Sequence, residues 1–510
     1  MNAPVVYEVN TWVWLTDLER RHGRSMTLAN VPRQAWAEVT PPGVDLVWLM
    51  GVWDRSPAGT RIAVADPALT ASFSRALPDL TAADVAGSAY CVRDYVVHPR
   101  FGGAAGLAAA RAELAARKAG LMLDYVPNHV APDHPWTVEH PEYFVTGTAD
   151  ELARAPGDFL EIGGLALARG RDPYFPPWPD VVQLNAFSPG LREATARRLA
   201  DIADQCDAIR CDMAMLLMND VFARTWGDRA GPVPETEFWP EVIAALRAGN
   251  PSAMLVAEAY WDREAALQAQ GFDFCYDKRL YDRLIEGDPE RIRLHLSASP
   301  GYQGRLLRFI ENHDEPRAVQ AFGRERARAA AVLISVLPGA VLWHEGQFDG
   351  RRRHVPVFLG RRPPEPDDGD LRRFYIRLLA AVSVAGLREG SWELLRCTGW
   401  ADNASCLNLI ATARSGAPHR ALTIVNYSDT PSQGRVRLPW ADLADEEWLL
   451  SDLLTGASFV RDGSELEEAG LYVSLPPWGS HLLTVQENPA PSPEFLATLP
   501  LSLALPPAPD

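Results

Sequence analysis

Cysteine is sparse in this chain of 510 residues, and none of its six cysteines stands in a Cys-x-x-Cys pair. That spacing excludes the common thiolate zinc sites, which take two ligands from one short loop. Cys91, Cys206, Cys211, Cys275, Cys397 and Cys406 are scattered, the usage of free thiols in a reducing compartment. No apolar run approaches the roughly 20 residues needed to span a bilayer, so no membrane is expected as a partner. The start, Met1-Asn2-Ala3-Pro4, lacks the basic stretch and apolar run of a secretory leader. It passes at once into a strand-like segment. Together these features set the expectation of a cytoplasmic protein. Positive charge is also short: 49 Lys and Arg against 66 Asp and Glu, a formal net charge of -17. Sequence-independent nucleic-acid binding needs a basic face, so nucleic acid is not an expected partner. A neutral substrate fits this balance better.

What is present is ordinary globular composition, 47% apolar and 23% charged, in a chain long enough for one large domain and satellites. Eight short runs stand out: Val5–Asn10, Asp45–Met50, Leu121–Val126, Asp207–Asp212, Met254–Glu258, Phe272–Tyr276, Leu306–Ile310 and Ala340–Trp343. Their apolar character is nearly continuous, as in parallel strands buried on both faces. Helical stretches separate them. Ser188-Pro189 supplies an N-cap and a first-turn proline, and Leu191, Leu199 and Ile202 then share a face. Over Ala104–Ala119, Leu107, Ala110 and Leu114 do the same. Strand alternating with helix eight times predicts an α/β fold, a closed (β/α)8 barrel.

Two excursions break the spacing, one from Val52 to Gly87 and one from Asn128 to Gln183, the latter rich in Pro, His, Trp and Gly. After about residue 390 short apolar runs such as Ala421–Val425 alternate with turn signals. The expected layout is a barrel over 1–127 and 184–390 and a small inserted subdomain over 128–183. A C-terminal antiparallel, sandwich-like β domain follows over 391–487, then a Pro-rich tail over 488–510. Aromatics, with 16 Trp, 13 Tyr and 17 Phe, are mainly core.

In a barrel of this kind, chemistry sits at the C-terminal ends of the strands. Polar residues cluster there: Asp124, Asn128 and His129 after the third run, Arg210 and Asp212 at the fourth, Glu258 at the fifth, and Glu311, Asn312, His313 and Asp314 at the seventh. So many ionisable groups at buried strand ends are costly unless they pair or react. These segments resemble the conserved regions of the alpha-amylase family of glycoside hydrolases (glycoside hydrolase family 13). Asp124-x-x-x-Asn128-His129, Arg210-x-Asp212, Glu258 after an apolar strand and Asn312-His313-Asp314 follow the family's order. Gly87–Tyr95 and Pro338–Gln347 resemble two further family segments.

The resemblance implies Asp212 as nucleophile, Glu258 as acid/base and Asp314 as the carboxylate that holds sugar hydroxyls. It also implies His129 and His313 as hydrogen-bonding partners of the same sugar, with Tyr90 stacked beneath it. A retaining enzyme needs one ionised and one protonated carboxyl across the scissile bond. Arg210, two residues before Asp212, projects from the same strand face and is expected to keep it ionised. Neighbouring carboxylates are expected to raise Glu258.

Asp124 reads as structural. Asn128 is either a calcium ligand, as in many relatives, or a brace for its loop. Glu311 and Glu345 are subsite or supporting residues, and Arg93 and Asp94 an expected mutual pair. The runs Trp53–Gly59 and Ala259–Asp262 are expected to rim the cleft. Where many relatives carry Lys-His after the nucleophile, this chain has Met215 and Leu216. That argues against calcium dependence, and no cofactor is expected to be required. Exo-acting relatives often carry Asp where Gly87 stands, so that ion-pair lock is absent. The implied partner is an alpha-linked oligosaccharide or polysaccharide. Hydrolysis, transfer to a second sugar (including trehalose-forming isomerisation) and non-catalytic carbohydrate binding stay open at this stage, as do endo or exo action and oligomeric state.

Overall fold

The computed structural model describes residues 3–416 and 420–488. The expected Pro-rich tail lies outside the described residues from 489 on.

Eight strands close into a barrel: β1 (Val5–Asn10), β2 (Leu46–Met50), β3 (Gly120–Tyr125), β4 (Ala208–Cys211), β5 (Met254–Ala257), β6 (Phe274–Tyr276), β7 (Leu306–Arg308) and β8 (Ala340–His344). Every strand is parallel to its neighbours, which follow in chain order around the ring. The ring shuts where β1 pairs with β8, Val5 opposite Val341 and Glu8 opposite His344. The continuous apolar runs are explained by burial from both sides: Val6, Val9, Val47, Leu49, Leu123, Ile209 and Leu255 are inaccessible to solvent. Several strands stop short of the expected ends. The runs thought to reach Val126, Asp212, Glu258 and Ile310 leave the ladder at Tyr125, Cys211, Ala257 and Arg308. Beyond these points the regular ladder ends, although Asp212 and Glu258 each still donate one backbone N–H to the neighbouring strand.

Helices fill the crossovers. One spans Gly103–Ala116, burying Leu107, Ala110 and Leu114. Another spans Pro189–Ala203, capped by the Ser188 hydroxyl, with Leu191, Leu199 and Ile202 buried. The excursion after β2 forms two short helices, Pro57–Ala65 and Pro67–Ala76. It also forms an irregular antiparallel pair, Trp53–Arg55 against Val92–Val97. Gly87 ends this excursion at φ +84°, where a Cβ would lie 2.2 Å from Thr60 Oγ1. The position therefore demands glycine on two counts. The excursion between β3 and β4 carries its own antiparallel strands, Phe159–Ile162, Leu165–Ala168 and Thr146–Gly147. His129–Val130 pairs with Val182–Gln183 at its base. A small core of Val130, Phe144, Leu167, Val182 and Leu184 holds it together.

The chain divides into two compact units, one up to Ser383 and one from Val384. The second contains a six-stranded antiparallel sheet that includes Leu409–Ser415, Arg420–Asn426 and Ser480–Glu487. A three-stranded sheet of Cys397–Thr398, Ser432–Val436 and Leu471–Leu475 accompanies it. Their alternating inward residues, among them Leu409, Leu422, Ile424, Val436 and Val473, form its core. Among the described residues no helix is long and apolar enough to cross a membrane.

Candidate active site

Arg210 is the hub of the barrel mouth. It belongs to β4, is wholly buried, and lies among the rings of Trp48, Tyr90 and Tyr276 at 5.2–5.7 Å. Its Nη1 meets Asp212 Oδ1 at 2.6 Å and its Nη2 meets Glu258 Oε2 at 2.7 Å. Two carboxyls from neighbouring strands thus converge on one planar guanidinium, the fork geometry that arginine supplies and lysine does not. Each carboxyl residue directly follows its strand. Asp212 N–H donates to Tyr125 O and Glu258 N–H to Cys211 O, so the ladders themselves fix their position. Asp124 of β3 sits behind, 3.9 Å from Arg210, and accepts from Gly51 N–H. Burial pushes its carboxyl up to about 6.

Glu258 is held on both oxygens. Met213 N–H donates to Oε2 at 2.7 Å and Tyr260 Oη–H to Oε1 at 2.8 Å. Met213 adopts φ +41° to do so, a left-handed conformation that a non-glycine residue takes only at a cost. Burial, then Asp212 and Asp314, push the Glu258 carboxyl up to about 7 against the pull of Arg210. The sequence pointed to neighbouring carboxylates; desolvation is the larger cause.

Asp314 lies at the open end, its side chain 44% exposed, with Oδ2 2.9 Å from His313 Nε2. Burial of the site would raise this carboxyl, but His313 and then Arg210 and His354 outweigh it and hold it at about 2. His313 Nε2 also meets Tyr90 Oη at 2.8 Å, and the two rings stack at 5.2 Å. Its Nδ1 lies 2.5 Å from Glu8 Oε1, inside β1. Burial lowers the His313 ring's proton affinity, but Asp314 and Glu8 reverse this and raise it well above the usual histidine range. His129 is buried against Trp178, ring centroids 5.1 Å apart, and burial lowers its proton affinity.

Asp212, Glu258, Asp314, Arg210, His313 and Tyr90 are therefore joined by direct contacts. Asn128 braces: its Oδ1 accepts from Gln183 Nε2 at 2.9 Å, and its Nδ2 donates to Gln183 Oε1 at 3.2 Å. Gln183 thus takes one of the two lone pairs on this amide oxygen. Met215 and Leu216 are buried in the turn after Asp212. Among the described residues no cluster of three or more His, Cys, Asp or Glu is arranged to hold a metal ion.

Other expectations are corrected. Arg93 and Asp94 do not pair with each other: Arg93 reaches Asp54, and Asp94 faces Arg198. Trp53 and Arg55 are not an open rim, being 1% and 4% exposed. Trp53 Nε1–H donates to Asp124 O and Arg55 to Gly87 O. Glu311 spends both oxygens inward, on Arg317 and on Ala318 N–H, and Glu345 pairs with Arg362. Sequence reasoning missed Glu8, Trp48, Tyr276 and His354, while Tyr260 lies in the expected rim segment Ala259–Asp262 and its contact with Glu258 was not foreseen. Only Glu8 left a clear signal, as an acid in the middle of an otherwise apolar strand.

A closed parallel barrel, an insertion after β3 and a carboxyl cluster at the C-terminal mouth define a (β/α)8 protein built for a multi-carboxylate site. No family model matches the sequence. It is 26% identical over 326 residues to the alpha-amylase MalA of Haloarcula japonica, covering 61% of this chain and 43% of that protein. It is 22% identical over 292 residues to alpha-amylase 3 of Dictyoglomus thermophilum, covering 54% and 56%. The chain thus spans about half the length of the curated relatives it matches. An alpha-amylase of Geobacillus thermoleovorans, solved with acarbose, superposes with a TM-score of 0.66 at 15% identity, covering 95% of this chain and 98% of that one. In fold and in sequence the chain is therefore similar to alpha-amylases.

Proposed function

We propose that the chain is a retaining alpha-glycosidase acting on alpha-glucans or maltooligosaccharides through a covalent glycosyl-enzyme intermediate. The observation that carries this reading is the shared guanidinium: Arg210 holds Asp212 and Glu258 side by side at 2.6 and 2.7 Å. Relatives named as alpha-amylases and a structural neighbour solved with acarbose support the substrate class.

In this reading Asp212 attacks the anomeric carbon while the bond to the leaving oxygen breaks, and Glu258 gives that oxygen its proton. The emptied Glu258 carboxylate then takes a proton from water. The hydroxide attacks the same carbon, releasing Asp212 and restoring the proton on Glu258. A carboxyl titrating at about 7 is suited to both halves, because it gives and regains a proton near neutral pH. Asp314, kept ionised by His313, takes hydrogen bonds from sugar hydroxyls and favours the positive charge developing on the ring. His129 binds hydroxyls; His313, with both ring nitrogens engaged by Glu8 and Asp314, acts through Asp314; and Tyr90 offers a ring face beneath the sugar.

The test is turnover of maltooligosaccharides by the wild type, Asp212→Asn and Glu258→Gln, with anomeric configuration followed by NMR. Asp212→Asn abolishes turnover while the fold stays intact. Glu258→Gln loses about 10²–10⁴-fold. A fluorinated glycosyl fluoride labels Asp212, seen by peptide mass spectrometry. Full activity of Asp212→Asn, or inversion at the anomeric carbon, overturns the proposal. Longer or rearranged sugars among the products would move it from hydrolysis to transfer.

A further inference from the structure

We propose that Glu8 is a positioning residue that fixes His313 with a proton on each ring nitrogen, so that His313 presents Asp314 as a carboxylate at the open mouth of the barrel. Glu8 sits in the middle of β1 with no solvent access. A strand buried on both faces has no packing use for an acid. A buried carboxyl without a partner is strongly destabilising. The side chain reaches across the closing seam of the barrel to His313 Nδ1 at 2.5 Å, while Nε2 of the same ring lies 2.9 Å from Asp314 Oδ2. Glu8 Oε2 has no hydrogen-bond partner among the described residues, so His313 is the one hydrogen-bond partner of this carboxyl there.

One ring between two acids sets the proton count. A neutral imidazole carries a single N–H, and its other nitrogen would turn a lone pair toward a carboxylate oxygen at hydrogen-bond distance. Protons on both nitrogens satisfy both acids, and Tyr90 Oη, 2.8 Å from Nε2, then accepts from that N–H rather than donating to it. The ring is clamped on its other sides: Trp48 meets it edge-on at 5.4 Å, Tyr90 stacks on it, and His354 Nε2–H donates to its backbone oxygen at 2.6 Å. The charged and titratable groups facing it are Glu8 from β1, Asp124 from β3, His344 from β8, and Tyr90, Asp314 and His354 from the loops. The acids closest to the nitrogens are Glu8 and Asp314, and their pull on the ring outweighs its burial. The arrangement follows the general logic by which a buried acid orients an imidazole and sets its protonation.

That Asp314 then acts on a sugar rests on the function proposed above; the state of His313 does not. The full-length chain, labelled with ¹⁵N-histidine, is recorded at about pH 8, where an unperturbed imidazole of pKa about 6.5 is neutral. The His313 signals are those missing from His313→Gln. The wild type is expected to show both nitrogens protonated, and Glu8→Gln only one. Glu8→Gln is also expected to lower kcat on maltooligosaccharides by on the order of ten- to hundredfold with a smaller change in KM. A wild-type His313 with one protonated nitrogen overturns the proposal, and this holds whether or not Glu8→Gln folds. So does a doubly protonated ring in a folded Glu8→Gln variant. A chain inactive on every alpha-glucan, but with His313 doubly protonated and dependent on Glu8, would instead remove the functional reading and leave this one standing.

Discussion

Replacing Glu258 by Gln should stabilise the chain at alkaline pH and not at acid pH. The folded protein lifts this carboxyl from its ordinary 4.5 to about 7, chiefly by burial. A raised carboxyl binds its proton more tightly folded than unfolded. Its contribution is therefore fully present below about 4.5 and is lost as pH rises through about 7. At about 1.36 kcal/mol per pH unit, that rise amounts to about 3 kcal/mol. This is a sizeable part of the roughly 5–15 kcal/mol that holds a domain folded. Glutamine is near in shape and cannot ionise. Its oxygen still accepts from Met213 N–H, and Arg210 keeps Asp212 as a partner. Titrations of distant groups are common to both proteins and cancel in the difference. Calorimetry of wild type and Glu258→Gln at about pH 4.5, 6 and 8 reads the quantity directly. The variant should gain on the wild type by about 3 kcal/mol across that range, a little over half of it between pH 4.5 and 6 and the rest between pH 6 and 8. A difference that does not change with pH, or that shrinks as pH rises, would refute the reasoning. The same proton should set the alkaline limb of kcat/KM near 7, since glycosyl transfer to Asp212 needs it on Glu258.

Arg210→Met leaves Asp124, Asp212 and Glu258 without their common cation. It should cost about 3–5 kcal/mol at neutral pH, measured by urea unfolding, and less in acid, where Asp124 and Glu258 are protonated. Gly87→Ala places a Cβ 2.2 Å from Thr60 Oγ1 at φ +84°. It should destabilise by about 1–3 kcal/mol, with part recovered in a Thr60→Ala background; an unchanged melting temperature would contradict the strain. Because Gln183 bonds both ends of the Asn128 amide, dialysis against a chelator should leave melting temperature and activity unchanged, and a fall restored by calcium would show a calcium site.

The barrel was legible because burial on both faces writes itself into the sequence as unbroken apolar runs. The site was legible because its acids come directly after those runs. Asp212 and Glu258 each follow the last paired residue of a strand, the place where a side chain is both held by the ladder and open to the mouth. What sequence could not carry was closure. Glu8 and His313 stand 305 residues apart, and only the pairing of β1 with β8 brings the first strand beside the last. Other errors had rules that would have prevented them. Arg93 and Asp94 are neighbours on one strand, so their side chains point to opposite faces and cannot pair. Trp53 and Arg55 share one face of their strand, and pairing against Val92–Val97 buries both. An aromatic next to charges had suggested a cleft rim, but the Trp53 ring has its hydrogen-bond partner inside, at Asp124 O.

Placement of charge, more than residue identity, divides the labour among these acids. Five carboxyls, those of Glu8, Asp124, Asp212, Glu258 and Asp314, stand around two cations, Arg210 and His313. Two cations cannot offset four buried carboxylates and a fifth, Asp314, at the open mouth, so some carboxyls must keep protons into the neutral range. Those are the ones that burial dominates, Asp124 at about 6 and Glu258 at about 7. Asp314, with His313 at 2.9 Å, is held ionised to about 2. Asp124 is sealed behind Arg210 and can reach no substrate, whereas Glu258 stands beside Asp212 at the mouth. A retained proton at Glu258 thus follows from having fewer cations than acids, and its position follows from which acid is buried yet still next to Asp212.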